Sequence, residues 1–250
     1  MPNPESGIHT MDDKLEPLAI VGMSWRFPGE AHSANGFWDV LSNGKSTRTR
    51  IPADRFKADA YYHPSADRQG SIITKEGHFL TGDIGAFDAP FFSMSAAEAE
   101  GMDPQHRILL EVTYEAFENA GMSIRSVAGS QTAVVVGGFT KDYEATSGRE
   151  MNNISPYAST GCGASMLANR LSWFYDLRGA SLMVDTACSA SLVALHLACQ
   201  ELRAGQSRMV PSVLPTLVAA CRFIGPHPSS YVIKLDTNNS GYRQLLLVRI

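Results

Sequence analysis

No stretch of this chain reaches the roughly 20 apolar residues that cross a bilayer as a helix, so no membrane span is expected. Basic residues do not gather either. The 21 Lys and Arg occur singly or in isolated pairs against 25 Asp and Glu, for a formal net charge of −4. Without a basic stripe, neither nucleic acid nor an anionic membrane surface is an expected partner. The opening MPNPESGIHTMDDKLE is polar and acidic and lacks the basic-then-apolar form of a secretory signal. Residues 1–16 read as a loose leader, and the cytosol is the default compartment. Cysteine is sparse, at 162, 188, 199 and 221, with no CxxC spacing. That argues against a disulfide framework and against zinc, and leaves free thiols in a reducing compartment. There is no internal repeat and no low-complexity tract.

What remains is ordinary globular material. The 250 residues are 44% hydrophobic, enough to bury the core of one large domain or two small ones. PLAIVG (17–22) reads as a buried strand closed by glycine. Ser33 suits the cap of a short helix carrying Phe37, Trp38 and Leu41 and stopped at Gly44. Residues 45–85, rich in Gly, Pro, Asp and Tyr, form a long surface excursion. Ser95 to Glu98 has the spacing of a capping box, and Asp103-Pro104 that of a second helix start. From there Leu109, Leu110, Val112, Thr113, Ala116, Phe117 and Ala120 recur at helical spacing up to Gly121. QTAVVVG (131–137) is a strand, SMLANRLSWFYDL (165–177) a helix, SLMVD (181–185) a strand, and Ser189 to about Ala204 a helix. Apolar strands alternating with helices indicate an α/β fold with a covered, largely parallel sheet. After Met209 the period is lost among prolines, and only 232–235 and 245–250 suggest strands.

Cys188 stands where SLMVD ends and the following helix begins. Helix-start N–H groups lack internal partners, and the helix dipole adds partial positive charge there, so a thiolate is favoured. The small neighbours Ala187, Ser189, Ala190 and Ser191 leave room for a substrate. The same small residues equally suit a helix packed tightly in a core, with the thiol inert. Local physics leaves both readings open.

The wider context favours the first. DTACSASLVALHLACQELRAG resembles the active-site segment of β-ketoacyl synthases, above all the ketosynthase domain of fungal highly reducing iterative polyketide synthases. PLAIVGMSWRFPG (17–29) resembles that family's opening strand. FDAPFFSMSAAEAEGMDPQHRILLEVTYEAFENAG (87–121) resembles its central signature, and GASMLANRLSWFYDLRGASLMVDTACSAS (163–191) the approach to its nucleophile. The resemblance spans about 15–209. It implies a thiolase-like α/β fold, here the first half only: a mixed, largely parallel sheet flanked by helices, the nucleophile on a buried helix, usually in a homodimer. It implies that Cys188 accepts an acyl chain as a thioester. A decarboxylative Claisen condensation with a malonyl unit on an acyl carrier protein would follow. No cofactor binds the chain directly; phosphopantetheine belongs to the carrier partner.

The family completes that chemistry with two histidines, one in an HGTGT-like motif and one in a later GH-containing motif. This sequence has histidines at 9, 32, 63, 78, 106, 196 and 227, none in either motif. His196 lies eight residues past Cys188, about 12 Å along a helix, beyond the roughly 3 Å reach of a general base. It reads as a helix-surface or packing residue. Cys199 is farther still, too far for a disulfide with Cys188.

The expected organisation is therefore a leader (1–16), a partial ketosynthase domain (17–209) and a divergent tail (210–250). The abrupt end of the likeness after Met209 reads as truncation or a changed reading frame. A catalytic ketosynthase, a non-catalytic remnant and a thiol acyl-acceptor using only Cys188 are the functions in contention. An uncovered half-domain is also expected to have low solubility or to depend on a partner.

Overall fold

A computed structural model describes residues 17–148, 154–214, 217–223, 231–235 and 245–249, with side-chain surroundings as far as Ser212. The leader, His9 and His227 lie outside the described residues. In chain order the elements are β1 (Leu18–Trp25), α1 (Ala34–Ser42), β2 (Arg48–Arg50), α2 (Ala58–Tyr61), β3 (Glu76–His78), α3 (Ala96–Glu100), α4 (Pro104–Asn119), α5 (Ile124–Val127) and β4 (Val134–Gly137). There follow α6 (Asp142–Ser147), α7 (Ala158–Cys162), α8 (Met166–Phe174), β5 (Ser181–Val184), a 3-10 turn (Ala187–Ser189), α9 (Ala190–Arg203), β6 (Met209–Leu214), β7 (Leu217–Phe223), β8 (Tyr231–Leu235) and β9 (Leu245–Arg249).

Five strands form one mixed sheet in the order β1-β7-β6-β4-β5. Pairing is parallel on both sides of β4 and antiparallel from β6 through β7 to β1. The valine run of β4 follows from this position. Val134 and Val136 enter one core with α4 and α8, whereas Ala133 and Val135 enter another with α9 and Val210 of β6. A strand buried on both faces needs apolar residues at every position, not at alternate ones.

Helix α4 supplies most of the first core. Asp103 caps it by accepting the Gln105 N–H at 2.8 Å, and Pro104 occupies its first position. The expected stripe from Leu109 to Phe117 is buried, and His106 is buried with it. Gly22 of β1 lets α4 approach closely, since a Cβ there would lie 2.2 Å from the Ala116 carbonyl oxygen. Arg26, just past β1, makes a two-pronged ion pair with Glu115 of α4.

Two expected helix signals act differently from the sequence reading. Ser95 does accept the Glu98 N–H at 3.2 Å, but the Glu98 carboxylate does not complete the capping box. It pairs instead with the buried Arg170 of α8 at 2.8 Å. A guanidinium withdrawn from water holds a carboxylate more strongly than an exposed cap N–H does. Helix α8 ends at Phe174, short of Gly179. Asp176 adopts φ +50 and the Leu177 N–H returns to the Ser172 carbonyl at 2.8 Å, a Schellman closure made without glycine. Tyr175, fully buried, fixes this end by donating its hydroxyl to the Leu110 carbonyl at 2.9 Å.

Toward the C-terminal end of the described chain, β6 and β7 join the main sheet. The expected division between 209 and 210 runs through β6, and β7 lies between β6 and β1. Pro211 and Pro215 hide these strands in the sequence. Pro211 is tolerated because β6 registers with β4 only from Ser212 onward, so its missing N–H breaks no bond of that ladder. The suggested strands near 232–235 and 245–250 are present as the antiparallel pair β8 and β9.

His106 gives a pH prediction. Burial, aided by the positive charge of Arg170, holds its imidazole down at about 4. The ordinary unfolded value is near 6.5, so between about pH 6.5 and 4 the unfolded chain binds the extra proton. Stability should be full above about 6.5 and fall as pH drops through that window, by on the order of 3 kcal/mol from this group. Urea unfolding of wild type and His106→Gln at pH 7 and pH 4.5 checks this: the variant should lose much less between the two.

Candidate functional site

The parallel strands β4 and β5 end side by side, with the Gly138 N–H bonded to the Val184 carbonyl at 3.1 Å. The chain then turns sharply before α9. Asp185 accepts the Ala187 N–H on its Oδ1 at 3.0 Å. Ala187 sits in the left-handed region at φ +51, and the 3-10 turn Ala187–Ser189 carries Cys188 outward. Cys188 is exposed, as are Asp185, Thr186, Ala187 and Ser189. The Ser189 hydroxyl turns back to the Thr186 carbonyl at 2.8 Å, so no side chain caps the first turn of α9. The Ala190 N–H is bonded to the Ala187 carbonyl, and no side chain takes the N–H groups that follow it.

Gly137 positions this turn. A Cβ at Gly137 would lie 2.5 Å from the Ala190 carbonyl oxygen and 2.8 Å from the Ser191 nitrogen, so only glycine lets the start of α9 rest on the end of β4. Gly137→Ala should push the turn away, destabilise the fold by about 1–3 kcal/mol and slow modification of Cys188. Thermal unfolding combined with timed alkylation tests both effects.

Helix α9 buries a narrow stripe, Ala190, Ala194, Ala198 and Leu202, against the sheet. Its outer side is open, with Leu192 71% exposed. The resemblance implied a nucleophile on a buried helix; here the thiol and the outer face of α9 are exposed. The physical reason is that only one face of α9 meets the sheet, and among the described residues nothing covers the other.

The remaining candidates are separated from Cys188. His196 is exposed and its Nε2 is 2.9 Å from the Gln200 amide nitrogen one turn on, a helix-surface arrangement. His106 belongs to the core on the α4 side of the sheet, across from α9. His32, His63 and His78 lie in the segment before α3, bonded at Gly29, Ser65 and Thr47 respectively. Cys162 is a free thiol buried beside the Gly101 carbonyl, and burial, together with nearby Asp103, pushes it up, away from the reactive thiolate. Cys199 is a free, half-buried thiol on α9. Among the described residues no group of three or more His, Cys, Asp or Glu could hold a metal ion. No helix there is long and apolar enough to cross a membrane. Sequence reasoning found the cysteine and the helix behind it. It missed Gly137 and Asp185 as supports of the turn, although both bracket apolar strands in the sequence.

Comparison with known proteins gives this geometry its context. The family model "Beta-ketoacyl synthase, N-terminal domain" matches residues 15–211. The highly reducing polyketide synthase ausV of Aspergillus calidoustus is 54% identical over 198 residues, 79% of this chain and 8% of that protein. The highly reducing polyketide synthase alnA of Emericella nidulans is 46% identical over 230 residues, 92% of this chain and 9% of that protein. That alignment extends past Met209, where the sequence reading had the likeness end. Among solved structures, the oxazolomycin ketosynthase domain OzmH KS7 of Streptomyces albus superposes with TM-score 0.73 at 35% identity, covering 79% of this chain and 33% of that one. A ketosynthase from module 6 of the bacillaene synthase of Bacillus subtilis gives TM-score 0.70 at 27% identity, covering 90% of this chain and 45% of that one. The chain thus spans under a tenth of these curated relatives and less than half of these ketosynthase structures.

Proposed function

The chain belongs to the β-ketoacyl synthase family, whose N-terminal domain spans residues 15–211, and on that premise we propose that it performs the acyl-accepting half of a polyketide ketosynthase reaction. The observation that carries the reading is the exposed Cys188 on a tight turn at the uncapped start of α9. Its thiolate attacks the carbonyl carbon of an acyl thioester presented on the phosphopantetheine arm of an acyl carrier protein. The new C–S bond forms at Cys188 Sγ as the carrier's C–S bond breaks, and the carrier thiolate leaves and takes up a proton. Free N–H groups of the α9 start are suited to stabilise the oxyanion of the tetrahedral intermediate.

Condensation asks for more. A malonyl thioester must lose carbon dioxide, and the resulting enolate carbon must attack the acyl-Cys188 carbonyl, releasing the Cys188 thiolate. That enolate needs acid–base and electrostatic help, which in the family comes from two histidines in motifs that none of the seven here occupies. In this reading Cys188 is acylated, and none of the seven histidines here supplies the help that condensation needs. A homodimer belongs to the same proposal: β5 is one of the two edge strands of the sheet among the described residues, with Leu182 42% exposed.

The test offers an acyl thioester and then a malonyl-loaded carrier protein, following protein mass and carbon dioxide release. One acyl mass gained without carbon dioxide is the expected result. Acylation with carbon dioxide release and chain extension would make it a complete condensing unit, and no acylation would make it a non-catalytic relative.

A further inference from the structure

We infer that Asp185 is a positioning residue for Cys188, holding the strained turn that presents the thiol; this deepens the acyl-acceptor reading and rests on it. The backbone at Ala187 is left-handed, φ +51, one of three such non-glycine positions in the described chain. An L-residue with a Cβ is disfavoured there relative to the ordinary helical region. Something must hold it. The Ala187 N–H points back into the Asp185 carboxylate, Oδ1 at 3.0 Å, closing a turn across Thr186. Thr186 and Ser189 add a second clasp: the Ser189 hydroxyl meets both the Thr186 carbonyl at 2.8 Å and its Oγ1 at 3.0 Å.

That second clasp ties residue 186 to 189 and leaves the Ala187 amide untouched. The Ala187 carbonyl accepts the Ala190 N–H within the 3-10 turn, and the Asp185 bond is the side-chain contact on the amide of the strained residue immediately before the nucleophile. Asp185 is itself exposed and takes no place in either hydrophobic core. Its side chain therefore bears on the shape of the turn far more than on global stability. Relaxing Ala187 to an ordinary conformation would rotate the peptide that precedes Cys188 and move the thiol relative to the start of α9.

The experiment measures the rate of Cys188 alkylation by iodoacetamide, read by peptide mass spectrometry, with Cys199 in the same molecule as the internal reference. Asp185→Ala should slow Cys188 by about fivefold, the weight of one such hydrogen bond, with Cys199 and the thermal midpoint unchanged. Asp185→Asn keeps an amide oxygen where Oδ1 stands and should restore the rate. Asp185→Ala combined with Ala187→Gly should also recover it, because glycine adopts φ +51 without strain. An unchanged Cys188 rate in Asp185→Ala, an Asn variant as slow as Ala, or a double variant that stays slow would each overturn the assignment. Acyl-thioester labelling runs in parallel. If wild type is never acylated while the alkylation pattern holds, the functional reading fails and the positioning role stands.

Discussion

Cys188→Ala should lose all labelling by an acyl thioester, while wild type gains a single acyl group that peptide mapping places on Cys188. The expectation rests on a contrast among thiols. Cys162 is buried, and its surroundings push it toward the neutral, unreactive form. Cys199 is half-buried along α9, beyond the helix start where free N–H groups could meet an oxyanion. Of these three, only Cys188 combines exposure with a fixed position at that start. The nucleophile cannot be replaced by a neighbour, because Ser189 already commits its hydroxyl to Thr186. Intact-mass spectra after incubation with a short acyl thioester decide the matter. A Cys188→Ala protein that still gains one acyl mass would move the site elsewhere. A circular dichroism spectrum matching wild type shows that the loss is chemical, since the replaced side chain is exposed and fills no cavity.

The alternation of strands and helices, the caps at Ser33 and Asp103, and the buried stripe of α4 were legible because each is a local pattern with a local cause. The cysteine was legible for the same reason: strand, small residues and helix follow one another directly. What stayed hidden depends on partners far along the chain. Glu98 reads as half of a capping box until Arg170, 72 residues on, is seen to claim it. Gly137 reads as the end of a strand until α9 is seen resting on it. The strand nature of Met209–Leu214 and Leu217–Phe223 is masked by proline, and the place of β7 between β6 and β1 has no signal in periodicity at all. Local rules read elements; the order of strands in a sheet is decided by which edges meet.

Glu98→Ala should be among the most destabilising single changes in the chain, and adding Arg170→Leu should undo most of the damage. Arg170 is 6% exposed in its side chain and 2.8 Å from Glu98, which is 25% exposed. One further guanidinium nitrogen donates to the Thr160 carbonyl at 2.9 Å, and Nε has no partner. Removing the carboxylate therefore strands a positive charge with only the Thr160 carbonyl and the weakly accepting Met94 sulfur at 3.8 Å in the packed region between α3, α7 and α8. Breaking one side of a buried pair costs about 3–5 kcal/mol, and the partial exposure of Glu98 places this case near the lower end. For a chain of this size about 3 kcal/mol lowers the thermal midpoint by roughly 6–12 °C. Replacing both partners removes the stranded charge as well as the attraction, and the apolar side chain introduced by Arg170→Leu packs beside Leu167 and Leu171, both buried on α8. The double variant should then lie within about 1 kcal/mol of wild type. Urea unfolding of the two single variants and the double variant closes the cycle. If Glu98→Ala proves as mild as the double variant, the pair is a surface ornament and the core is held by packing alone.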